Sequence, residues 1–402
     1  MLRFHARTDV GLKRKQNEDA LLAQEDHGLF VVADGVGGRK AGELASALTV
    51  DTFQAYADRL REAVAAFAED ATRSRRNEVL QLLDQAANVA SSRVYETAES
   101  TGREGMTSTL AATLIGGGVA FVVHVGDSRV YLLRDGQLRQ LTEDHSLVNE
   151  MIRSGQISPE EARRSRHRNV ITRAIGLYPT VHPDTLAVEL LQGDRLVVCS
   201  DGLSDLVDPE RIVDLLRASD MTAAVEALVD EALAKGGKDN ISVIGIAPEA
   251  VLDSGVVAAR AHAMETLFLF EDLPYQARIR VGRVVSDHAV PRGGTVVRQG
   301  EPGDTMYVVL QGTVDVVVDG TAVTQLGAGE HFGELALVDE APRSATIVAA
   351  TDARLLAIER DALRAYCAME PGIGSRILWK LVATLSRRLR ETNQRAARIE
   401  AS

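Results

Sequence analysis

Four apolar runs in this chain each carry an aspartate at one end. Phe30-Val31-Val32-Ala33 leads into Asp34-Gly35, Leu196-Val197-Val198-Cys199 into Asp201-Gly202, Phe121-Val122-Val123 into Gly126-Asp127, and Asp239 stands just before Ile241-Ser242-Val243-Ile244. An isolated charge buried at the end of a strand costs several kcal/mol, so each carboxylate must be exposed or paired. A single Asp-Gly is ordinary turn chemistry. Four aspartates flanking runs without a hairpin's alternation are not, and the glycines beside three of them imply close approach of the backbone to something. If the strand ends gather, Asp34, Asp201 and Asp239 form a set of hard oxygen ligands, with Asp127 as a fourth. Such a set suits Mg²⁺ or Mn²⁺ and suits zinc poorly, because no His or Cys joins it. Gly35, without a side chain, lets its carbonyl reach the ion.

The chain has 402 residues, more than one core usually organises, so two domains are expected. Charged residues at 25% and hydrophobic residues at 45% are those of a globular protein. No apolar run approaches the ~20 residues of a membrane span, and Met1–Gly11 has no signal-peptide core. Cys199 and Cys367 lack metal-ligand spacing, and a cytosolic, membrane-free setting is expected. The net charge of −12 argues against general nucleic-acid binding. Two local exceptions are Arg163–Arg168 and the stretch 371–402, which holds seven Arg or Lys against two Glu.

Strand-rich sequence at 2–33, helical sequence at 41–100, strands at 107–141, a polar Arg-rich insertion at 144–172, strands near 186 and 196, helices at 209–235 and a strand ending at Ala247 predict α+β layers. Residues 248–263 read as a linker or connecting helix. From about 284, short Val-rich runs alternate with turn signals such as "QGEPGD" and "VDGT", predicting an all-β roll. A long amphipathic helix closes the chain, with Leu378, Leu381, Leu385 and Leu389 as its apolar stripe.

Read in order, "TDVGLKRKQNEDA", "VVADGVGGRKAGE", "GMTSTLAATLI", "HVGDSRVYLLRDG", "LTEDHSLV", "ITRAIGLYPTVHPD", "VVCSDGLSD" and "GGKDNISVI" resemble the bacterial metal-dependent, type 2C serine/threonine protein phosphatases. The resemblance covers residues 3 to about 247. It implies an α-β-β-α sandwich and two, or three, Mg²⁺ or Mn²⁺ ions. Asp34 would bridge two ions and Gly35 lend its carbonyl; Asp201 and Asp239 would hold one ion, and Asp127 a weaker third. Glu18 and Asp19 would orient water, and Arg14 would grip the substrate phosphate, as a bidentate guanidinium does. Two positions depart from the family. Val36 stands where some relatives carry a candidate proton donor, leaving His145 or a water as alternatives, and Thr107 stands where the family has glycine. The run Arg163–Arg168 falls in the part corresponding to the family's flap, where it would attract phosphoproteins.

In the C-terminal part, "LFEDLP", "VVRQGEPGDTMYVVLQGTVDV" and "GEHFGELALVDEAPRSATI" are similar to cyclic nucleotide-binding domains over about 264–395. The resemblance makes Glu334 the partner of the ribose 2′-hydroxyl and Arg343 that of the cyclic phosphate. Gly333, Leu335, Ala336, Ser344 and Ala345 would support the ring, and cAMP and cGMP both remain open. It also offers the last helix as a lid or homodimer surface. The chain's end at Ser402 leaves no room for a DNA-binding helix-turn-helix, so no DNA contact is expected. The expected organisation is thus a phosphatase domain at 1–247, a linker at 248–263 and a nucleotide-binding roll at 264–402. The leading expectation is a phosphoserine/phosphothreonine phosphatase controlled by cyclic nucleotide. A catalytically silent nucleotide sensor, and an active enzyme whose roll only dimerises or docks, are the alternatives.

Overall fold

The first question is how runs as apolar as Leu29–Ala33 are covered. In the computed structural model, which describes residues 2–37, 41–163, 165–167, 170–218, 220–249 and 254–400, all five side chains are fully buried. A strand apolar on both faces must lie between two layers. Here one layer is a second sheet and the other a pair of helices. The chain divides into two compact units, Met1–Leu252 and Asp253–Ser402.

In the first unit, the strands Leu2–Asp9, Ile241–Pro248, Arg195–Cys199, Arg129–Arg134 and Gln137–Gln140 form one antiparallel sheet in that order. The second sheet runs Asp19–Gln24, Leu29–Val36, Leu110–Gly116, Val119–Val125, Asp184–Glu189. The two-residue strand Thr107–Ser108 extends it by pairing with Gly35 and Val36. Thr107, where glycine was the family expectation, therefore sits in extended ladder backbone, which a β-branched residue favours. Phe4 and Phe30 meet between the sheets with ring centroids 5.3 Å apart.

The helices Ala41–Glu69 and Arg73–Thr101 cover the second sheet. The first presents Ala45, Thr49, Phe53, Leu60, Val64 and Phe67 inward at helical spacing, and Phe67 meets Phe121 edge-on at 5.3 Å. Thr72 caps the second helix by accepting from the Arg75 N–H, and Gly102 ends it in the left-handed region. Pro209–Ala218 and Met221–Ala234 cover the other sheet, completing the α-β-β-α order. The polar insertion carries the short helices Leu147–Arg153 and Pro159–Arg163. The run Arg163–Arg168 includes residues 164 and 168, which lie outside the described residues.

The second unit faces two four-stranded sheets against each other: Val285–Val290, Ala353–Glu359, Thr305–Gln311 and His331–Phe332 on one side, Thr295–Val297, Thr346–Ala349, Val314–Val318 and Thr321–Leu326 on the other. Val309, Val314, Phe332, Ile347 and Leu355 fill the space between them. Helices Ser254–Thr266, Tyr275–Val281, Arg360–Met369 and Pro371–Glu400 belong to this unit. On the last helix the inward stripe differs from the leucine reading. Ile377, Leu381 and Thr384 are buried and Leu385 packs beside them, while Leu378 is 55% exposed. The helical repeat explains this: 377, 381 and 384 share a face that 378 leaves by about 100°. Leu389 is a residue whose side chain lies outside those described.

Candidate functional site

The carboxylates assemble at one edge of the sandwich through specific backbone contacts. Asp19 and Asp34 are directly opposite one another on adjacent strands, so their side chains share a face. Ser200, from the other sheet, donates its hydroxyl to Asp19 Oδ2 at 2.8 Å, which brings the following Asp201 beside the pair. A Cβ at Gly202 would strike the Asn240 carbonyl. Glycine there is what lets the Asp201 turn press against the loop that carries Asp239.

Asn240 locks that loop. Its Oδ1 accepts from the Glu18 N–H at 2.8 Å, and its Nδ2 donates to the carbonyls of Val10 and Gln16 at 2.9 and 3.0 Å. Arg14 reaches Asp239 Oδ2 at 2.7 Å and lies 3.9 Å from Glu18. Gly35 lies where a side chain would collide with the Gly42 carbonyl at the start of the first long helix. Asp34 is clamped by Thr109, whose N–H donates to the Asp34 carbonyl at 2.8 Å and whose hydroxyl accepts from the Asp34 N–H at 2.9 Å. The Thr109 hydroxyl also meets Ser128 at 2.7 Å, one residue past Asp127. Sequence reasoning had no signal for the clamping role of Thr109, nor for Ser200 or for Asp205, whose charge also acts on Asp201.

Electrostatically the cluster is unbalanced. Burial, then the charges of Asp19, Asp201, Asp127 and Asp239, push the Asp34 carboxyl well above the usual range. Burial and then Asp127 and Asp205 push Asp201 up to about 8. Asp19 rises to about 6 mainly through burial, against hydrogen bonds from Ser242 and Ser200. Asp127 rises to about 6 through burial and Asp144, against the charge of Arg129. The Oδ1 atoms of Asp19 and Asp201 are buried without a hydrogen-bond partner. Among the described residues, however, no three His, Cys, Asp or Glu side chains close tightly enough to cage an ion by themselves. Crowded, unpartnered carboxylates without a closed cage fit hard divalent ions, which keep several waters and take only part of their coordination from side chains.

His145 is buried beside this cluster. The Gly126 N–H donates to its Nδ1 at 3.2 Å, and Nε2 lies 3.3 Å from Asp184 Oδ2. Both ring nitrogens are thus engaged away from solvent.

In the roll, Gly333 adopts φ +78°, a left-handed conformation that suits glycine, and opens a single 3₁₀ turn, Glu334–Leu337. Glu334 and Ala336 are buried and Leu335 is half exposed. The Ala336 N–H closes this turn on the Gly333 carbonyl at 3.1 Å, so that amide is spent inside the turn. The Arg343 guanidinium lies between Gly303 and Gly333, where a Cβ on Gly333 would come within 2.6 Å of Nη1. It donates from Nη2 to the Thr305 carbonyl at 2.8 Å, and its buried Nε has no partner. The Arg343 backbone is tied to Glu301 and Gly300 at 2.8 and 2.9 Å. Ser344 and Ala345 follow, leading into Thr346–Ala349.

A sandwich with carboxylates gathered at its edge, followed by a roll holding a guanidinium between glycines, defines a two-part class of protein. Residues 13–235 match the protein phosphatase 2C family model, and residues 287–370 match the cyclic nucleotide-binding domain model. The chain belongs to the protein phosphatase 2C family. It is 38% identical over 245 residues to the serine/threonine protein phosphatase PstP of Mycobacterium tuberculosis, across 61% of this chain and 44% of that protein. The chain thus spans less than half the length of that relative. With the serine/threonine phosphatase stp of Listeria welshimeri it shares 35% identity over 243 residues, 59% of this chain and 92% of the other. A solved structure of the PstP catalytic domain in complex with two manganese ions superposes with a TM-score of 0.52 at 36% identity, covering 61% of this chain and 97% of that one. Among the described residues no helix is long and apolar enough to cross a membrane.

Proposed function

We propose that this chain is a Mg²⁺- or Mn²⁺-dependent phosphoserine/phosphothreonine protein phosphatase whose activity is set by a cyclic nucleotide, cAMP or cGMP, bound to its C-terminal roll. The observation that carries the first half is the mutual crowding of Asp34, Asp201, Asp19 and Asp127 with two carboxylate oxygens left without partners. The second half rests on the buried, unpartnered Nε of Arg343 and the domain match at 287–370. In this reading residues 1–247 are catalytic, 248–263 connect, and 264–402 sense. The substrates are phosphoproteins, and the free Cys199 and Cys367 suit a cytoplasmic setting.

Phosphate monoesters resist hydrolysis so strongly that catalysts supply up to ~10²¹-fold. When bound, a pair of divalent ions lowers the pKa of water and offsets charge on the phosphoryl group. Asp34, the Gly35 carbonyl, Asp201 and Asp239 would hold the pair, and Asp127 would serve a weaker third ion. Glu18 and Asp19 would orient the attacking water. Arg14, paired here with Asp239 and half exposed, would fork onto phosphate oxygens beside those ligands. The engagement of both His145 nitrogens favours water over this side chain as the source of the leaving group's proton.

The experiment is hydrolysis of a phosphothreonine peptide by the full chain with Mn²⁺ or chelator, titrated with cAMP and cGMP. Turnover that requires the divalent ion is expected, together with a shift of roughly 5–150-fold on nucleotide binding, the usual range of coupling between sites. Absence of turnover with Mn²⁺ present favours the silent-sensor alternative. Equal rates with and without a nucleotide that calorimetry shows to be bound remove the regulatory half. A dimerising role for the roll is a second reading, favoured by the exposed Leu378, Trp379 and Val382 on the last helix.

A further inference from the structure

We infer that His145 is a positioning residue for Asp127: a two-point hydrogen-bonded brace that holds the Gly126–Asp127 turn and ties it to both ends of the segment 147–170. This rests on the reading above, in which Asp127 serves the third, weaker ion.

The geometry is specific. The His145 N–H donates to the Gly126 carbonyl at 2.7 Å, and the Gly126 N–H donates back to the His145 ring at Nδ1, 3.2 Å away. A backbone N–H can only donate, so Nδ1 is the acceptor in this contact. At the other end of the ring, Nε2 lies 3.3 Å from Asp184 Oδ2 and 3.2 Å from Arg173 Nη1, which itself donates to Asp184 Oδ1 at 3.1 Å. The His145 ring is further confined by His124, fully buried with its ring centroid 4.8 Å away. Gly126, at φ +103°, has no other room: a Cβ there would press on Thr109 at 2.8 Å. The turn bearing Asp127 is therefore gripped between Thr109, which clamps Asp34, and His145.

The same residue closes the base of the polar insertion. The Thr172 N–H donates to the His145 carbonyl at 2.7 Å, and the Leu147 N–H to the Val170 carbonyl at 2.9 Å. The segment thus leaves and returns at His145, one hydrogen bond from the Asp127 turn.

Asparagine and glutamine separate the two ends of the imidazole. Asn at 145 puts a carbonyl oxygen where Nδ1 accepted from Gly126. Gln reaches the Nε2 position and leaves the Gly126 N–H without its acceptor. The test is Mn²⁺ binding to the full chain, followed by electron paramagnetic resonance of free Mn²⁺ and by calorimetry, for wild type, His145→Asn and His145→Gln. Wild type is expected to show a tight class of sites and a weaker one. H145Q should weaken the weak class roughly tenfold or more, as loss of a partner behind a metal ligand does, with the tight class unchanged. H145N should stay within about threefold of wild type on the same grounds. An unchanged weak class in H145Q, or equal weakening in both variants, overturns the inference while leaving the phosphatase reading intact. Wild type that takes up no Mn²⁺ overturns that reading, and this one with it. If H145Q does not fold, amide exchange decides: the Gly126 N–H should remain protected in H145N, and loss of that protection overturns the brace.

Discussion

At the edge of the sandwich, carboxylates from both sheets raise one another's proton affinity, whereas in the roll a single guanidinium rests on a neutral carbonyl between two glycines. Both arrangements leave buried polar atoms unpartnered, Oδ1 of Asp19 and Asp201 in one and Nε of Arg343 in the other. The first is a surplus of like charge that resists its own assembly. Its geometry survives because neutral groups (Thr109, Asn240, Ser200) hold the backbones in place. The second is one charge already screened by backbone. Ligands should therefore matter more to the first site than to the second, both for chemistry and for stability.

Paired substitutions test that difference at its largest. Asp34→Asn removes the central carboxylate and should lower kcat by about 10³-fold or more, the scale on which groups stabilising transition-state charge act, in a phosphothreonine-peptide assay at saturating Mn²⁺. Arg343→Ala should leave basal hydrolysis intact. It should weaken nucleotide binding by about 2–5 kcal/mol, since truncating one partner of a buried charge pair costs that much, read by calorimetry. Loss of basal hydrolysis in R343A, or full activity in D34N, would invert the comparison.

Titration gives a smaller effect of opposite character in the two units. Folded-state values of about 8 for Asp201 and about 6 for Asp19 and Asp127 lie above the ordinary 3.8. Unfolded, these groups release protons that the fold retains. In chelator the first unit should therefore lose stability as pH rises from about 4 through 8, by a few kcal/mol in order of magnitude, and Mn²⁺ should cancel the loss. His124 acts at the acid end: burial, with His145 adding to it, lowers it to about 3 from 6.5, so stability falls as pH drops from about 6.5 towards 3. In the roll Tyr307, Tyr366, Cys367 and Lys380 are raised from values already above neutrality. These groups should cost the roll no stability between pH 5 and 8. Amide exchange in Leu110–Gly116 and in Thr305–Gln311 reads the two units separately, and matching pH profiles in chelator would contradict the comparison.

Legibility in the sequence followed the same division. The strands that carry Asp34, Asp201 and Asp239 were readable because burial on both faces forces uninterrupted apolar runs, and because glycine marks the points where backbones touch, as Gly202 does against Asn240. The helices at 41–101 were readable from apolar spacing. What escaped is long-range and neutral. Thr109 holds Asp34 from 75 residues away, and Ser200 meets Asp19 across 181 residues; a hydroxyl has no pattern that announces such a partner. The last helix misled for a local reason. Leucines at 378, 381 and 385 suggested one stripe, but burial followed Ile377, and the rotation between 377 and 378 turned Leu378 outward.

That rotation supplies the smallest of the expected effects. With Ile377, Leu381 and Thr384 facing inward, Leu378, Trp379 and Val382 are left 55%, 72% and 56% exposed on the other side of the same helix. A tryptophan flanked by aliphatics on one helical face is the composition of an interface centre more than of a solvated surface. A charge there should not disturb the buried stripe. Trp379→Glu is therefore expected to leave thermal unfolding of the roll within about 0.5 kcal/mol of wild type, as surface substitutions do. If copies of the chain pair through this helix, it should weaken the association tenfold or more, the scale on which a buried aromatic anchor counts. Sedimentation over a range of protein concentrations measures this. A wild type that stays monomeric at every concentration would return the strip to ordinary exposed surface and leave the Arg343 pocket as the feature of the roll that calls for a ligand.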